Sequence, residues 1–357
     1  MLAPDYSRQM LLKEVGAAGQ ARLTQSRVLV VGAGGLGSPV LQYLGGAGVG
    51  HLTVVDDDRL DASNLHRQPI YARAEVGADK AALARGALQR LNPAVRVEAL
   101  ATRFTAHNAR ELVRDHHLVI DASDNFRTKF LINDAAVLER RPAVFASVYQ
   151  FEGQLQVYEP APSHACLRCL WPEATLDGLV GNCAEAGVLG PVPGVFGSLQ
   201  ALLALKILLG LPGRLDGELL LVDFSAFAST KLRAPRHGGC VAPDCARIRD
   251  LGHEPEAADL EVRLLSIEDA ARRGYALVDI RGHDEVRAQP SGLPHIELES
   301  LLASPELLTR GEIYLLVCAT GRRSRAAADR LRRLGLDVRS LAGGLAALEA
   351  SRHALPQ

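Results

Sequence analysis

The feature that most constrains the fold of this chain is a glycine-rich turn after a short apolar run. Residues 28–31 read as a buried strand, and Gly32, Gly34, Gly35 and Gly37 follow in a G-x-G-x-x-G pattern. Such a turn lets the backbone approach a phosphate group, and the N-terminus of the next helix favours negative charge. The pattern predicts a nucleotide site, either for a dinucleotide or for ATP. The alternative is a tight strand–helix turn without a ligand.

Strand and helix patterns alternate after this turn. Strands are expected at residues 51–56, 95–100 and 118–121, and helices at residues 38–47, 79–91, 110–114 and 126–139. Beyond Pro142 the pattern predicts strands at residues 143–148, 154–158, 219–224 and 229–233, with a long helix at 194–209. The alternation predicts an α/β fold with a doubly wound, mostly parallel, Rossmann-like sheet.

The length of 357 residues favours two domains. An acidic segment that contains a proline and lacks apolar periodicity separates them, and we read it as a linker over residues 249–261. The first domain would span residues 1–248. The second, residues 262–357, is a smaller α/β unit with strands at 277–280 and 313–317 and a helix at 325–336.

Composition excludes several classes of partner. Hydrophobic residues make up 48% of the chain and the formal net charge is -1, so neither a nucleic acid nor a membrane is expected as a partner. No signal-type segment is visible, and Gln200 and Lys206 interrupt the longest apolar run, residues 195–211. We read that run as a core helix and expect a cytoplasmic protein.

Polar residues follow the second predicted strand. Asp56 closes it, at the place where an acid can hold ribose hydroxyls. Asn64 and Arg67 come next, and Lys80 opens the following helix. Two cations and an amide beside a phosphate-binding turn suit a triphosphate better than a pyrophosphate. The alternative is a solvated polar loop.

Two carboxylates follow the fourth predicted strand, in the segment DASDN. Asp121 and Asp124 would lie at the carboxyl edge of the sheet, where ligands bind in folds of this kind. Either one can hold Mg²⁺ that bridges phosphates. Asp124 alternatively caps the helix that begins beside it.

Several motifs occur in an order that resembles the MoeB/ThiF family of ubiquitin-activating-like adenylyltransferases, over about residues 5–248. The motifs are SRQMLL, VGAGGLGS, SNLHRQ, VGADKA, LNP, DASDN and GVLGPVPGVFGSLQALLALK. The resemblance implies adenylylation of the C-terminal glycine of a ubiquitin-like sulfur carrier that ends in Gly-Gly. It also implies ATP and Mg²⁺ as cofactors and assigns the site residues. Asp56 would bind the ribose, Asn64, Arg67 and Lys80 the phosphates, and Asp124, beside Asn125, the Mg²⁺.

The same resemblance implies a homodimer, because Arg8 would reach the phosphates bound by the partner subunit. One departure is Lys129, where the family more often has arginine. Lysine keeps the charge and loses the planar fork of the guanidinium.

Four of the six cysteines suggest a metal site. Cys166 and Cys169 form a C-x-x-C pair, and Cys240 and Cys245 follow with a longer spacing than the family usually shows. Four thiolates would suit a structural Zn²⁺. His164 and His237 are possible substitutes for a cysteine that fails to reach, and a redox dithiol or free thiols are the alternatives.

The other two cysteines are candidates for covalent chemistry. Cys183 lies in a glycine-rich stretch, and in the resembling family a cysteine here takes part in acyl or sulfur transfer. Cys318 follows a predicted strand and opens the loop CATGRRS, residues 318–324, called here the cysteine loop. Successive backbone N–H groups, the helix N-terminus, Arg322 and Arg323 would favour a thiolate. A phosphatase needs arginine where this chain has Ser324, so the spacing favours sulfur over phosphate.

The cysteine loop and the segment LVDIRGHDEV resemble a single rhodanese domain over about residues 262–350, with LAGGLAAL as its closing segment. The leading hypothesis is therefore an adenylyltransferase with a fused sulfurtransferase. A persulfide donor, such as a cysteine desulfurase or thiosulfate, would load Cys318. The fusion favours the small subunit of molybdopterin synthase as carrier, with thiamin or other pathways possible. An NAD-dependent oxidoreductase and a non-catalytic scaffold for a ubiquitin-like protein are the alternatives.

Overall fold

The computed structural model describes residues 4–161, 164–171, 187–237, 240, 245, 248–251, 260–262, 264 and 267–347. The described residues form two compact units, one made of residues up to 251 and the other of residues from 260 onward. Each unit has its own sheet and its own hydrophobic cores.

The first unit is built on an eight-stranded sheet. Its strands are β1 (Arg27–Val31), β2 (His51–Val55), β3 (Arg96–Leu100), β4 (Leu118–Asp121), β5 (Ala143–Tyr149), β6 (Glu152–Tyr158), β7 (Glu218–Asp223) and β8 (Ala228–Arg233). The order across the sheet is β3-β2-β1-β4-β5-β6-β7-β8. Pairing is parallel from β3 to β5 and antiparallel from β5 to β8. The predicted doubly wound, mostly parallel sheet is confirmed.

Helices cover the sheet of the first unit. They are α1 (Ser7–Met10), α2 (Gly16–Gln25), α3 (Gly37–Gly46), α4 (Lys80–Leu91), α5 (Ala106–Arg114), α6 (Phe126–Leu138), α7 (Leu167–Leu170) and α8 (Pro191–Leu209). Strand β1 is buried on both faces, because Val28 and Val30 pack into one core and Leu29 and Val31 into the other. A strand buried in this way reads as the continuous apolar run seen in the sequence.

Helix α8 is long and apolar enough to cross a membrane by length and composition alone. Half of its most apolar stretch is buried inside the protein, where it packs against α3, β4 and β5. Gln200, on this helix, is fully buried and donates from Nε2 to the backbone oxygen of Asp121 at 2.6 Å. These contacts are those of the core helix that the sequence predicted.

The second unit has a four-stranded parallel sheet. Its strands are β9 (Glu261–Val262), β10 (Tyr275–Asp279), β11 (Ile313–Val317) and β12 (Val338–Leu341), in the order β10-β11-β12-β9. Its helices are α9 (Ile267–Arg272), α10 (His283–Ala288), α11 (Leu298–Ala303) and α12 (Arg322–Arg333). Helix α12 begins three residues before the predicted start, directly after Gly321, whose φ is 86°.

Candidate active sites

The glycine turn, residues 32–37, connects β1 to α3 between the ends of β2 and β4. Gly32 has a φ of 99°, and a Cβ atom there would lie 2.5 Å from the backbone oxygen of Ala122, after β4. A Cβ atom at Gly37 would collide with the backbone oxygen of Gly32. Only glycine fits both positions, so the turn lies tightly against the end of β4. This is the switch point of the sheet, where doubly wound folds bind ligands.

Asp56, directly after β2, is held against this turn. Its Oδ2 accepts a hydrogen bond from the backbone N–H of Ala33 at 2.7 Å, and its Oδ1 accepts one from that of Asp58 at 2.9 Å. Burial raises the pKa of the Asp56 carboxyl, and the backbone donors oppose that rise. A carboxylate with two such donors keeps lone pairs for the hydroxyls of a ligand.

Arg67 lies beside the glycine turn. Its backbone oxygen is 3.5 Å from the position of a Cβ atom on Gly35, and its guanidinium donates to the backbone oxygen of Ser63 at 2.9 Å. Asn64, one turn earlier, is buried, and its Oδ1 accepts from the backbone N–H of Asp61 at 3.2 Å. The oxygen of Asn64 therefore serves the local turn.

Lys80 opens α4 with a side chain that is only 7% exposed. Its Nζ donates to the carboxylate of Asp58 at 2.8 Å. Tyr71 fixes this helix start to the glycine turn, because its hydroxyl donates to the backbone oxygen of Ala33 at 2.8 Å and lies 3.3 Å from that of Lys80. The sequence did not single out Tyr71 or Asp58. Tyr71 follows Ile70, and such an apolar pair is typical of a core. Asp58 is the last of three consecutive acids, and such a run is typical of a solvated surface.

Asp121, at the end of β4, is fully buried and forms an ion pair with Lys129 of α6. Lys129 is itself buried, and its Nζ also donates to the backbone oxygen of Ala146 at 2.6 Å. The pair neutralises both charges inside the protein, so the Asp121 carboxylate is held in a buried ion pair with Lys129.

Asp124 is exposed at the same edge of the sheet. The helix that follows is capped by Asn125, whose Oδ1 accepts from the backbone N–H of Thr128 at 2.8 Å. The capping alternative considered for Asp124 is therefore wrong, because its neighbour fills that position. Asp124 is left as the carboxylate that faces solvent beside the switch point.

The structure thus brings the segments carrying Arg67, Lys80 and Asp124 to one edge of the sheet. Two buried polar atoms near the glycine turn, Ser38 Oγ and Gln68 Oε1, have no hydrogen-bond partner among the described residues. A polar ligand at the turn can supply such partners. Arg8 lies on α1 and is exposed.

The four candidate metal ligands lie together. The sulfur atoms of Cys166, Cys169 and Cys245 are all within 4.8 Å of one another, and that of Cys240 is 3.4 Å from that of Cys245. The contact with Cys166 lowers the pKa of the Cys169 thiol, and the same contact together with burial raises that of Cys166. Four thiols this close, two of them buried, are a donor set that Zn²⁺ prefers.

The C-x-x-C pair is fixed to α6 by its intervening residues. The backbone N–H of Leu167 donates to Asn133 Oδ1 at 2.8 Å, and Arg168 donates to Asp134 at 2.7 Å. His164 does not substitute for a cysteine, because its Nε2 faces Asp216 at 3.4 Å and its Nδ1 lies 3.2 Å from the backbone oxygen of Val157. The backbone of His237 instead forms a hydrogen bond with the Cys169 sulfur.

Cys183 lies outside the described residues. Cys318 is buried at the end of β11, and its sulfur accepts hydrogen bonds from the backbone N–H groups of Gly321 at 3.2 Å and Ser324 at 3.4 Å. The Ser324 hydroxyl is a third donor, at 3.4 Å. These donors converge on one sulfur atom beside the N-terminus of α12, an arrangement that stabilises negative charge on it.

The closing glycines of the second unit pack against the cysteine loop. A Cβ atom on Gly344 would lie 2.6 Å from the backbone nitrogen of Gly321, and the backbone N–H of Leu345 donates to the Cys318 oxygen at 2.9 Å. The resemblance to rhodanese domains identified this closing segment in the sequence. It did not reveal the close contact with Gly321 that requires glycine at position 344.

Of the two loop arginines, Arg322 is the first residue of α12 and Arg323 the second. The guanidinium of Arg323 donates to the carboxylate of Glu285, on α10, at 2.6 Å. This ion pair lowers the pKa of Glu285. Glu285, which sequence reasoning did not single out, therefore offsets the charge of Arg323 beside the cysteine loop.

Comparison with known proteins places this geometry in a family. The profile of the ThiF family matches residues 6–242. The chain belongs to the ThiF family. The sulfur carrier protein adenylyltransferase of Thermus thermophilus is 50% identical to it over 259 residues, which cover 71% of this chain and 93% of that protein.

A second relative extends over both units. The adenylyltransferase and sulfurtransferase MOCS3 of Anopheles gambiae is 38% identical over an alignment that covers 95% of this chain and 85% of that protein. The crystal structure of E. coli MccB superposes on this protein with a TM-score of 0.59, and the match covers 70% of this chain and 74% of the MccB chain. At 20% identity that match shows the fold alone. The predicted family, fold class and enzyme class, adenylyltransferase, are confirmed.

Proposed function

We propose that this protein adenylates the C-terminal carboxylate of a ubiquitin-like sulfur-carrier protein with ATP and then delivers sulfur to it from Cys318. The observation that carries the proposal is the match over 95% of the chain to a relative named for both activities. The glycine turn in one unit and the cysteine loop in the other supply a site for each reaction.

In the first reaction, Asp56 holds the ribose of ATP, while Asn64, Arg67 and Lys80 contact its phosphates. Gly32 and Gly37 permit the tight turn, and Gly34 and Gly35 within it bring backbone N–H groups to the same phosphates. Asp124, beside Asn125, is the carboxylate that would hold Mg²⁺, which supplies charge neutralisation when bound. Because Lys80 is paired with Asp58, it must exchange that carboxylate for a phosphate when ATP enters.

The carboxylate of the carrier's terminal glycine attacks the α-phosphorus, and pyrophosphate leaves. The product is a mixed anhydride, an acyl-adenylate, whose carbonyl is a far better electrophile than that of a carboxylate. No general base is needed, since the attacking group is already ionised. Arg67 and Lys80 offset the charge that builds on the leaving pyrophosphate, so catalysis is mostly positioning and electrostatics.

In the second reaction, Cys318 carries a sulfane sulfur received from a persulfide donor such as a cysteine desulfurase, or from thiosulfate. The terminal sulfur attacks the acyl-adenylate carbonyl, AMP leaves, and an acyl disulfide forms. The Cys183 thiolate then attacks the Cys318 sulfur. The carrier leaves as a thiocarboxylate, and an external thiol reduces the disulfide between the two cysteines.

The remaining assignments support these reactions. Cys166, Cys169, Cys240 and Cys245 would hold a structural Zn²⁺ that ties the C-x-x-C pair to the end of the first domain. The adenylyltransferase domain is the unit up to residue 251 and the rhodanese-like sulfurtransferase domain is the unit from residue 260 onward, with the linker between them. The enzyme acts as a cytoplasmic homodimer in which Arg8 contacts the phosphates bound by the partner subunit. The small subunit of molybdopterin synthase is the favoured carrier.

One variant distinguishes the adenylation reaction from the sulfur-transfer reaction. Cys318→Ser should leave carrier-dependent pyrophosphate exchange at the parental rate, because Cys318 belongs to the second unit and has no part in adenylation. It should abolish the sulfur-for-oxygen mass change on the carrier. If the Cys318→Ser variant still loads sulfur, the proposed route through Cys318 is wrong.

A further inference from the structure

The hydroxyl of Ser324 is the one movable donor among the three described contacts to the Cys318 sulfur. The two backbone N–H groups point at the sulfur whatever its charge. The Ser324 hydroxyl has a single hydrogen and three acceptors within reach: the Cys318 sulfur at 3.4 Å, the Gly321 backbone oxygen at 3.1 Å and the Ser340 hydroxyl at 2.8 Å. The three acceptors therefore compete for that one hydrogen.

Ser340 lies on β12 and is fully buried. It is two residues after Val338, and so on the same face of the strand, where Val338 packs in a core with Cys318 and Ala328. A hydroxyl in an apolar core is costly unless it forms hydrogen bonds. Its oxygen lies 2.8 Å from that of Ser324 and 3.3 Å from the Gly321 backbone oxygen.

Two of the hydrogen-bond arrangements open to this pair differ in what the Cys318 sulfur receives. In the first, Ser340 donates to Ser324, and Ser324 donates to the Cys318 sulfur. In the second, Ser324 donates to Ser340, and Ser340 donates to the Gly321 backbone oxygen. The first suits a negatively charged sulfur, since a hydrogen bond to a charged acceptor is the stronger one. The second suits a neutral thiol. The change from one arrangement to the other is a rotation of the two O–H bonds, and each oxygen keeps its own proton.

We propose that Ser340 is a positioning residue for sulfur transfer, which turns the Ser324 hydroxyl toward Cys318 when the sulfur carries charge. The inference rests on the proposed role of Cys318 as sulfur carrier. It adds a buried strand residue whose described hydrogen bonds go to the Ser324 hydroxyl and the Gly321 backbone oxygen. Without Ser340, the Ser324 hydroxyl loses the donor that polarises it, so its hydrogen bond to the thiolate is weaker.

The test is a thiolate titration of the full chain. Ultraviolet absorbance is followed against pH for each protein and for the same protein carrying Cys318→Ser, and the difference isolates one sulfur. Ser340→Ala and Ser324→Ala should each move the midpoint upward, by about one pH unit if one hydrogen bond to a charged group is lost. The double variant should match Ser324→Ala alone, because Ser340 acts through Ser324.

Ser340→Thr, which keeps the hydroxyl, should restore the parental midpoint and the parental rate of sulfur loading. Pyrophosphate exchange, which takes place in the other unit, should be the same in all these variants, and an unchanged circular dichroism spectrum and unfolding temperature check that the mutated unit is folded. An unchanged midpoint in Ser340→Ala, or additive shifts in the double variant, would overturn the role of Ser340. Failure of the parent to load sulfur on Cys318 at all would instead overturn the proposed function.

Discussion

At the scale of single residues, the nucleotide site depends on charges that already have partners. Lys80 is nearly buried and paired with Asp58, whose side chain is 69% exposed. The lysine cannot be solvated freely, whereas the carboxylate can. If a triphosphate displaces Asp58, that carboxylate becomes solvated by water. The triphosphate then pairs with the largely desolvated ammonium group of Lys80, so the exchange is favourable.

This asymmetry gives a prediction for two variants. Lys80→Met should lower carrier-dependent pyrophosphate exchange by about a hundredfold or more, as expected when a charge that offsets the leaving group is lost. Asp58→Asn, which removes only the exposed partner, should change the rate less than about fivefold. Equal losses in both variants, measured under saturating ATP, would mean that the ion pair itself is needed.

The positions of some side chains relative to the glycine turn were predictable from motifs. Asp56, Arg67 and Lys80 lie near that turn, as the motifs around them indicated. The ion pair between Asp121 and Lys129 was not predictable, because their side chains meet only after α6 packs on β4. That pair occupies Asp121 and leaves Asp124 for the metal ion that we propose, a choice that sequence spacing alone left open.

At the scale of elements, the order of strands and helices was predictable and several boundaries were not. Strand β9 begins at Glu261, inside the segment read as linker. Its two residues pair with the edge of β12, with Glu261 opposite Ser340, and so short a strand has no periodicity to detect. Tertiary pairing, rather than local preference, makes it a strand.

The cysteine cluster gives a prediction at the same scale. If the four thiolates hold Zn²⁺, Cys169→Ser and Cys240→Ser should each lower both the zinc content and the thermal unfolding temperature. A structural zinc can contribute on the order of 10 kcal/mol, so the loss should be large. Cys318→Ser is the matched control and should retain zinc. Full zinc content in Cys240→Ser would show that the longer-spaced pair does not complete the site.

At the scale of the whole molecule, two units with separate sheets correspond to two chemistries. The family profile ends at residue 242, while the relative that also carries the sulfurtransferase name matches 95% of the chain. The sequence could predict this division because a glycine turn and a cysteine loop each follow a buried strand.

The central claim is that a peptide carboxylate attacks ATP at the glycine turn. The most direct measurement is exchange of radiolabelled pyrophosphate into ATP, with each candidate carrier supplied once with a free C-terminal glycine and once with that carboxylate amidated. We expect exchange only with a free carboxylate on the cognate carrier, and its loss in Lys80→Met. Exchange that persists with the amidated carrier, or none with any ubiquitin-like carrier, would contradict the account.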